Sequence, residues 1–206
     1  MTQMGLPLNW PESVDERAFS VSACNQRVVA FLNGWGRWPV AAAVLTGPRK
    51  SGRSLLGRIF TAKSGGEFID DADRADETRL FHAWNRAQET RKPLLLVADD
   101  APPRWRITLP DLASRLSATP SITLPEPDLA LMEALLRKLV ARRGLAIGND
   151  VVHYLLRRIE RSYVAVICVV DALDAAALSQ RRALSVPLAR EVLAGFSLTE
   201  PELENA

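Results

Sequence analysis

Residues 40–63 read VAAAVLTGPRKSGRSLLGRIFTAK, and the succession of textures in this stretch decides the fold. Val40 to Leu45 is short, apolar and rich in alanine and valine, as a buried strand requires. The glycine-bearing loop GPRKSGRS follows, and SLLGRIFTAK then has the composition of a helix. Strand, loop and helix in that order is the setting in which GxxxxGK[ST] binds phosphate. Gly47, Gly52 and Ser54 fit that pattern, with Arg53 at the lysine position. Glycines let backbone N–H groups turn toward phosphate oxygens at the positive end of the following helix, while the Ser54 hydroxyl is placed to ligate Mg2+. The candidate nucleotide-binding residues are therefore Gly47, Pro48, Lys50, Ser51, Gly52, Arg53, Ser54 and Leu55, with ADP or ATP as ligand. Arg53 offers a planar fork rather than the point charge of lysine, which bears on turnover more than on ground-state binding. Stripped of its flanking elements, the same loop would be an ordinary turn.

Outward from this core, Glu67 to Asp70 (EFID) and Leu94 to Ala98 (LLLVA) are two more short apolar segments. Each ends near carboxylates, and a helical stretch from Glu77 to Thr90 separates them. Ile122 to Leu124 supplies a further strand. Continuous apolar strands separated by helices imply a parallel sheet covered on both faces. Only a short segment lies between the loop's helix and FIDD, so the expectation is an α/β fold with four parallel strands and one edge strand missing. After Glu126, flanked by Pro125 and Pro127, leucines recur at helical spacing through LALMEALLRKLVARR and VVHYLLRRIERS, and the remainder reads all-helical. The expected organisation is a tail over 1–10, an α/β subdomain over 11–125 and a helical lid over 126–206. Trp35 and Trp38 precede the first strand closely and are expected to pack under the sheet rather than stack on a base.

Bulk properties exclude several classes. With 206 residues and 48% apolar content the chain can bury a core, and a net charge of +2 demands no nucleic-acid partner. Cys24 and Cys168 stand apart from any Cys/His cluster, so neither a disulfide framework nor a zinc site is indicated. No stretch approaches roughly 20 uninterrupted apolar residues, and the start lacks a signal-peptide pattern, so a cytoplasmic protein without membrane partner is expected. His82 and His153 lack ligand spacing and read as structural. Arg137, Lys138, Arg142, Arg143, Arg157, Arg158, Arg161, Arg181 and Arg182 make the helical half basic, which a solvated helix face explains as readily as a surface for DNA or an acidic partner.

By residues alone, Asp70 with Asp71 and Asp99 with Asp100 are rival carboxylate pairs at strand ends. The segment PPRWRITLPDLASRL, from Pro102 to Leu116, together with GPRKSGRS and FIDD, resembles the Hda family, DnaA-related AAA+ regulators of replication initiation. The similarity runs in order from about Leu45 to Leu193. It implies a P-loop AAA+ subdomain followed by a helical lid, in a family where arginine at the P-loop lysine is familiar. It further implies that Asp70 holds Mg2+ with Ser54, that Asp71 is catalytic, and that PLLLVADDAPP takes the sensor 1 place. Arg115, which by sequence alone could equally be a salt-bridged helix residue, matches the arginine finger presented to a nucleotide on a neighbouring molecule. The second sensor arginine falls at Val164, with Arg161 one turn earlier as its substitute. Near the start, QMGLPL is similar to the short peptide that docks on the DNA polymerase sliding clamp, with Gln3, Leu6, Pro7 and Leu8 as its anchors.

The resulting expectation is an adaptor that docks on the clamp and promotes hydrolysis of ATP bound to DnaA, with at most weak ATPase activity of its own. DNA contact would be weak or indirect, and self-association stays open. Two rivals remain: a self-sufficient P-loop ATPase or small-molecule kinase, and a degenerate AAA+ scaffold that binds no nucleotide.

Overall fold

The computed structural model describes residues 18–196; the expected clamp anchors Gln3, Leu6, Pro7 and Leu8 lie outside them. The sheet contains β1 (Ala42–Thr46), β2 (Glu67–Ile69), β3 (Leu94–Val97) and β4 (Ser121–Thr123), in the order β2-β3-β1-β4. Every pairing is parallel, with Ala43 opposite Leu95 and Leu45 opposite Ile122. This is the expected four-stranded α/β sheet. Alternation along the strands divides the core in two. Ala42, Val44, Leu94 and Leu96 pack toward α3 (Glu77–Thr90) and α4 (Pro110–Ser117). Ala43, Leu45, Leu95 and Val97 pack toward α1 (Gln26–Asn33) and α2 (Arg53–Ser64).

On that second face the two tryptophans behave as expected. Trp38 stacks between Phe31 and Phe60, with centroids 5.3 and 5.6 Å away, and Trp35 meets the Phe60 edge at 6.1 Å. On the first face, α3 starts at Asp76, whose carboxylate accepts from the Arg79 amide at 2.7 Å and caps the helix. Glu77 then accepts from the amides of Thr108 and Leu109 and from the Thr108 hydroxyl. These bonds, first those from the backbone, hold its carboxyl below the usual range and tie the irregular segment before α4 to α3.

The helical half comprises α5 (Leu129–Arg142), α6 (Asn149–Leu156), α7 (Tyr163–Gln180) and α8 (Val186–Phe196). Met132, Leu136, Val151, Leu155, Val166 and Val170 form a core of its own. By length and composition α7 is apolar enough to cross a membrane, but one flank lies in this core. Its Asp171 and Asp174 both pair with Arg143. Much of the basic character found in the sequence is likewise engaged locally: Arg137 bonds Glu133 and Asn149, Arg182 meets Glu191, and Arg158 lies over the Tyr154 ring at 4.0 Å.

Candidate nucleotide site

The four strands are parallel, so their C-terminal ends share one edge, the side on which open α/β sheets bind ligands. β1 delivers Gly47 to Gly52 there. Thr46 is 4% exposed, and its hydroxyl is satisfied by that of Thr123 at 2.7 Å, which ties the loop's entry to β4. Gly47 has φ +151°, and a Cβ there would lie 2.7 Å from Leu124 Cβ, so the loop leaves the sheet against the chain that enters the lid. Lys50 (φ 63°) and Gly52 (φ 90°) are left-handed, and Gly52 sits directly before α2. Ser51 is 5% exposed, and its Oγ has no hydrogen-bond partner. A buried hydroxyl without a partner costs on the order of 1–3 kcal/mol, and here it belongs to the loop expected to hold an anion. On that observation the loop fits a phosphate group.

The lid faces this loop across a cleft of about 210 Å3, bounded by Lys50, Ser51, Gly52 and Leu55 below and by Leu135 and Arg142 above. That volume is below the roughly 300 Å3 at which small-molecule pockets begin, so a whole nucleotide requires the lid to open further. The lid's hold on the sheet subdomain is polar at several points. Lys138 Nζ donates to the Ala18 carbonyl at 2.6 Å, and the buried Tyr163 hydroxyl donates to the Pro125 carbonyl at 3.1 Å. Burial, reinforced by nearby acidic groups, pushes the Tyr163 phenol up. Arg161 is exposed and donates to the Pro127 carbonyl at 3.5 Å, and Val164 is 43% exposed.

Arg53, at the lysine position, is already engaged. Its Nη2 donates to Asp99 Oδ1 at 2.5 Å and its Nη1 to the Ala98 carbonyl. Arg74 Nη2 meets the other oxygen of Asp99 at 3.1 Å. The Arg53 guanidinium, more than any other group, holds the Asp99 carboxyl below its ordinary range. Asp73 Oδ2 accepts from the Asp99 amide at 3.3 Å, and its Oδ1 is buried without a partner. Asp70 and Asp71, the expected metal-holding and catalytic carboxylates, are both exposed after β2, and Asp70 Oδ1 accepts from the Asp71 amide at 3.3 Å. The arrangement thus unites Arg53, Arg74, Asp73 and Asp99 and leaves Asp70 and Asp71 facing solvent. In the sequence Asp99 is one of the rival strand-end carboxylates, whereas Asp73, in a short 3-10 turn after β2, does not stand out. Its register two residues beyond Asp71 was the one available signal. Among the described residues, no three His, Cys, Asp or Glu side chains converge as a metal cluster. A Mg2+ ion held chiefly by substrate phosphates, with Ser54 and one carboxylate, needs no such cluster.

Arg115 lies on α4, on the other face of the sheet from α2. Its guanidinium carbon is 4.3 Å from the Phe81 ring centroid and 5.1 Å from that of Trp84, both on α3. Nη1 is buried with no hydrogen-bond partner. Thr119 accepts from Trp84 Nε1 at 3.1 Å and donates to the Arg115 carbonyl at 2.8 Å, which fixes the end of α4 against α3. The partners of this guanidinium are therefore aromatic rings rather than the carboxylate that a salt-bridged helix residue would have.

The sequence model for the lid domain of Hda matches residues 130–193. Domain III of the Thermotoga maritima replication initiation protein DnaA is similar in fold. It is 15% identical, with a TM-score of 0.71 over 87% of this chain and 95% of that one. AMPPCP-bound DnaA from Aquifex aeolicus is 14% identical, with a TM-score of 0.57 over 75% of this chain and 63% of that one. The Holliday junction branch migration motor RuvB of Thermotoga maritima is 12% identical, with a TM-score of 0.64 over 91% of this chain and 73% of that one.

Proposed function

We propose that the chain is an Hda/DnaA-related AAA+ protein, a cytoplasmic regulator of replication initiation that acts on DnaA; the lid-domain match over residues 130–193 and the likeness in fold to DnaA domain III support the reading. The observation that carries the reading is the Hda-type lid, residues 130–193, closing over a P-loop whose buried Ser51 hydroxyl awaits a partner. Gly47 to Leu55 would hold the phosphates of ADP or ATP, with Ser54 and a strand-end carboxylate, Asp70 in the family assignment, on Mg2+. Bound nucleotide would supply the anion that satisfies the loop, with the lid opened to admit it; intrinsic turnover would be weak. Arg115 acts outward: a guanidinium delivered beside the phosphates of DnaA-bound ATP stabilises the charge that develops in transfer. The tail anchors Gln3, Leu6, Pro7 and Leu8 would hold the chain on the sliding clamp, which raises its effective concentration near DnaA.

The test measures hydrolysis of DnaA-bound ATP with the chain and DNA-loaded clamp. Stimulation that vanishes in Arg115→Ala, and that depends on the clamp and falls when Leu6 and Leu8 are replaced by alanine, supports the reading. Equal stimulation by wild type and Arg115→Ala removes the finger. One observation favours a second reading, a scaffold without nucleotide: the contact of Arg53 with Asp99 and Ala98 already occupies the cation of the loop. Calorimetric titration with ADP and ATP separates the two.

A further inference from the structure

We propose that Asp99 is a specificity-determining residue of the phosphate loop, a resident counter-anion that must release the Arg53 guanidinium before a polyphosphate can use it. The inference rests on the nucleotide-binding reading above and concerns how that site chooses among phosphates.

The geometry is unusually committed for a loop cation. The Arg53 side chain is only 12% exposed, and Nη2 stands 2.5 Å from Asp99 Oδ1. Nη1 is spent on the Ala98 carbonyl, the first residue beyond β3 and therefore fixed by the sheet. Both arms of the fork thus point to β3 and not to the loop. A lysine ammonium has three rotatable donors and could share itself freely between carboxylate and phosphate; a planar guanidinium seated at both arms keeps its remaining donors fixed in that plane. Asp99 is itself held in place, because Arg74 takes its second oxygen and Asp73 accepts from its amide. The cation at this motif position serves the β- and γ-phosphates. The Asp99 carboxylate, itself paired to Arg53 and Arg74, accordingly competes with incoming phosphate for the cation at this motif position. A triphosphate brings more charge to this point than a diphosphate and is disfavoured more.

The experiment is isothermal titration of the full chain with ADP and with ATP, each with Mg2+, for wild type, Asp99→Asn and Arg53→Lys. Asp99→Asn keeps the side chain's shape and removes its charge. It should tighten both ligands, ATP by about tenfold or more and ADP by less, in keeping with the strength of charge-assisted hydrogen bonds. Arg53→Lys tests the same idea from the other partner and stands in if Asp99→Asn does not fold; it too should tighten ATP more than ADP. Wild-type binding with affinities unchanged or weakened in both variants overturns the role of Asp99 while leaving the nucleotide site intact. Absence of binding to wild type and both variants, all folded by circular dichroism, overturns the nucleotide site and this inference with it.

Discussion

Replacing Phe81 by leucine, Arg115 by methionine, and both together gives a double-mutant cycle on the seat of the proposed finger. The guanidinium carbon lies 4.3 Å from the Phe81 centroid and 5.1 Å from the Trp84 centroid, both inside the range in which a cation feels the ring's negative face. Such contacts contribute about 0.5–1 kcal/mol when exposed and about 2 kcal/mol when dry. The buried, unpartnered Nη1 places Arg115 between those limits. The share of Phe81, the nearer ring, is therefore about 1 kcal/mol. Urea unfolding of the four proteins reads this as a coupling free energy, with the packing lost at each single site cancelled by the cycle. A coupling below about 0.3 kcal/mol, the noise of additivity between independent sites, would refute the reasoning. The same energy opposes extension of Arg115 toward another molecule. Removing it should raise stimulated DnaA hydrolysis by about fivefold in Phe81→Leu, since roughly 1.4 kcal/mol corresponds to a factor of ten, while Arg115→Met abolishes stimulation. A fall in Phe81→Leu would mean that the rings hold the finger in its working pose.

Gly47→Ala forces a side chain onto φ +151° and 2.7 Å from Leu124 Cβ; a loss of about 2 kcal/mol or more is expected in urea unfolding, with weaker nucleotide binding in calorimetry. Leu136→Ala empties a fully buried position of the lid core and should cost about 2–5 kcal/mol, seen as an earlier loss of helical circular dichroism. Burial favours the neutral Tyr163 phenol in the fold and raises its pKa above the ordinary 10.0. Its contribution is therefore complete below pH 10 and declines as pH rises from there toward the folded value. Unfolding followed from pH 8 to 11 should show stability falling above pH 10 in wild type and a flatter profile in Tyr163→Phe. At neutral pH that variant loses about 1 kcal/mol for the hydrogen bond to Pro125.

What could be read from the sequence was whatever depends on neighbours along the chain. β3 and α3 stand where their apolar run and their helical spacing put them, because strands buried on both faces carry no polar alternation to blur them. β1 begins at Ala42 and extends to Thr46, beyond the apolar run, because Thr46 hides a hydroxyl that Thr123 satisfies. A buried threonine and a loop threonine are alike until the partner strand is known. The same reason conceals the site's charge pattern: Arg53 and Asp99 are 46 residues apart and meet only because β3 lies beside β1. Phe81 and Trp84, three apart on α3, carry no sign in the sequence of what they meet. Only the packing of α4 shows that they receive a cation.

The topology separates two tasks that a self-sufficient ATPase would join. Arg53 projects from the start of α2 to the ends of the strands, where the loop and the strand-end carboxylates converge. Arg115 belongs to α4 and is bound to α3 across the opposite face of the sheet. A guanidinium so placed is remote from its own phosphate loop by construction, since α2 and α4 pack on opposite sides of β1 and β3. The proposed finger would therefore act on a nucleotide held by another molecule. Its own loop, meanwhile, has its cation paired to Asp99, an arrangement poorly suited to stabilising the extra charge of transfer. Under the proposed function, a loop whose cation is paired at rest and an arginine on the opposite face of the sheet divide the chemistry between this chain and its partner.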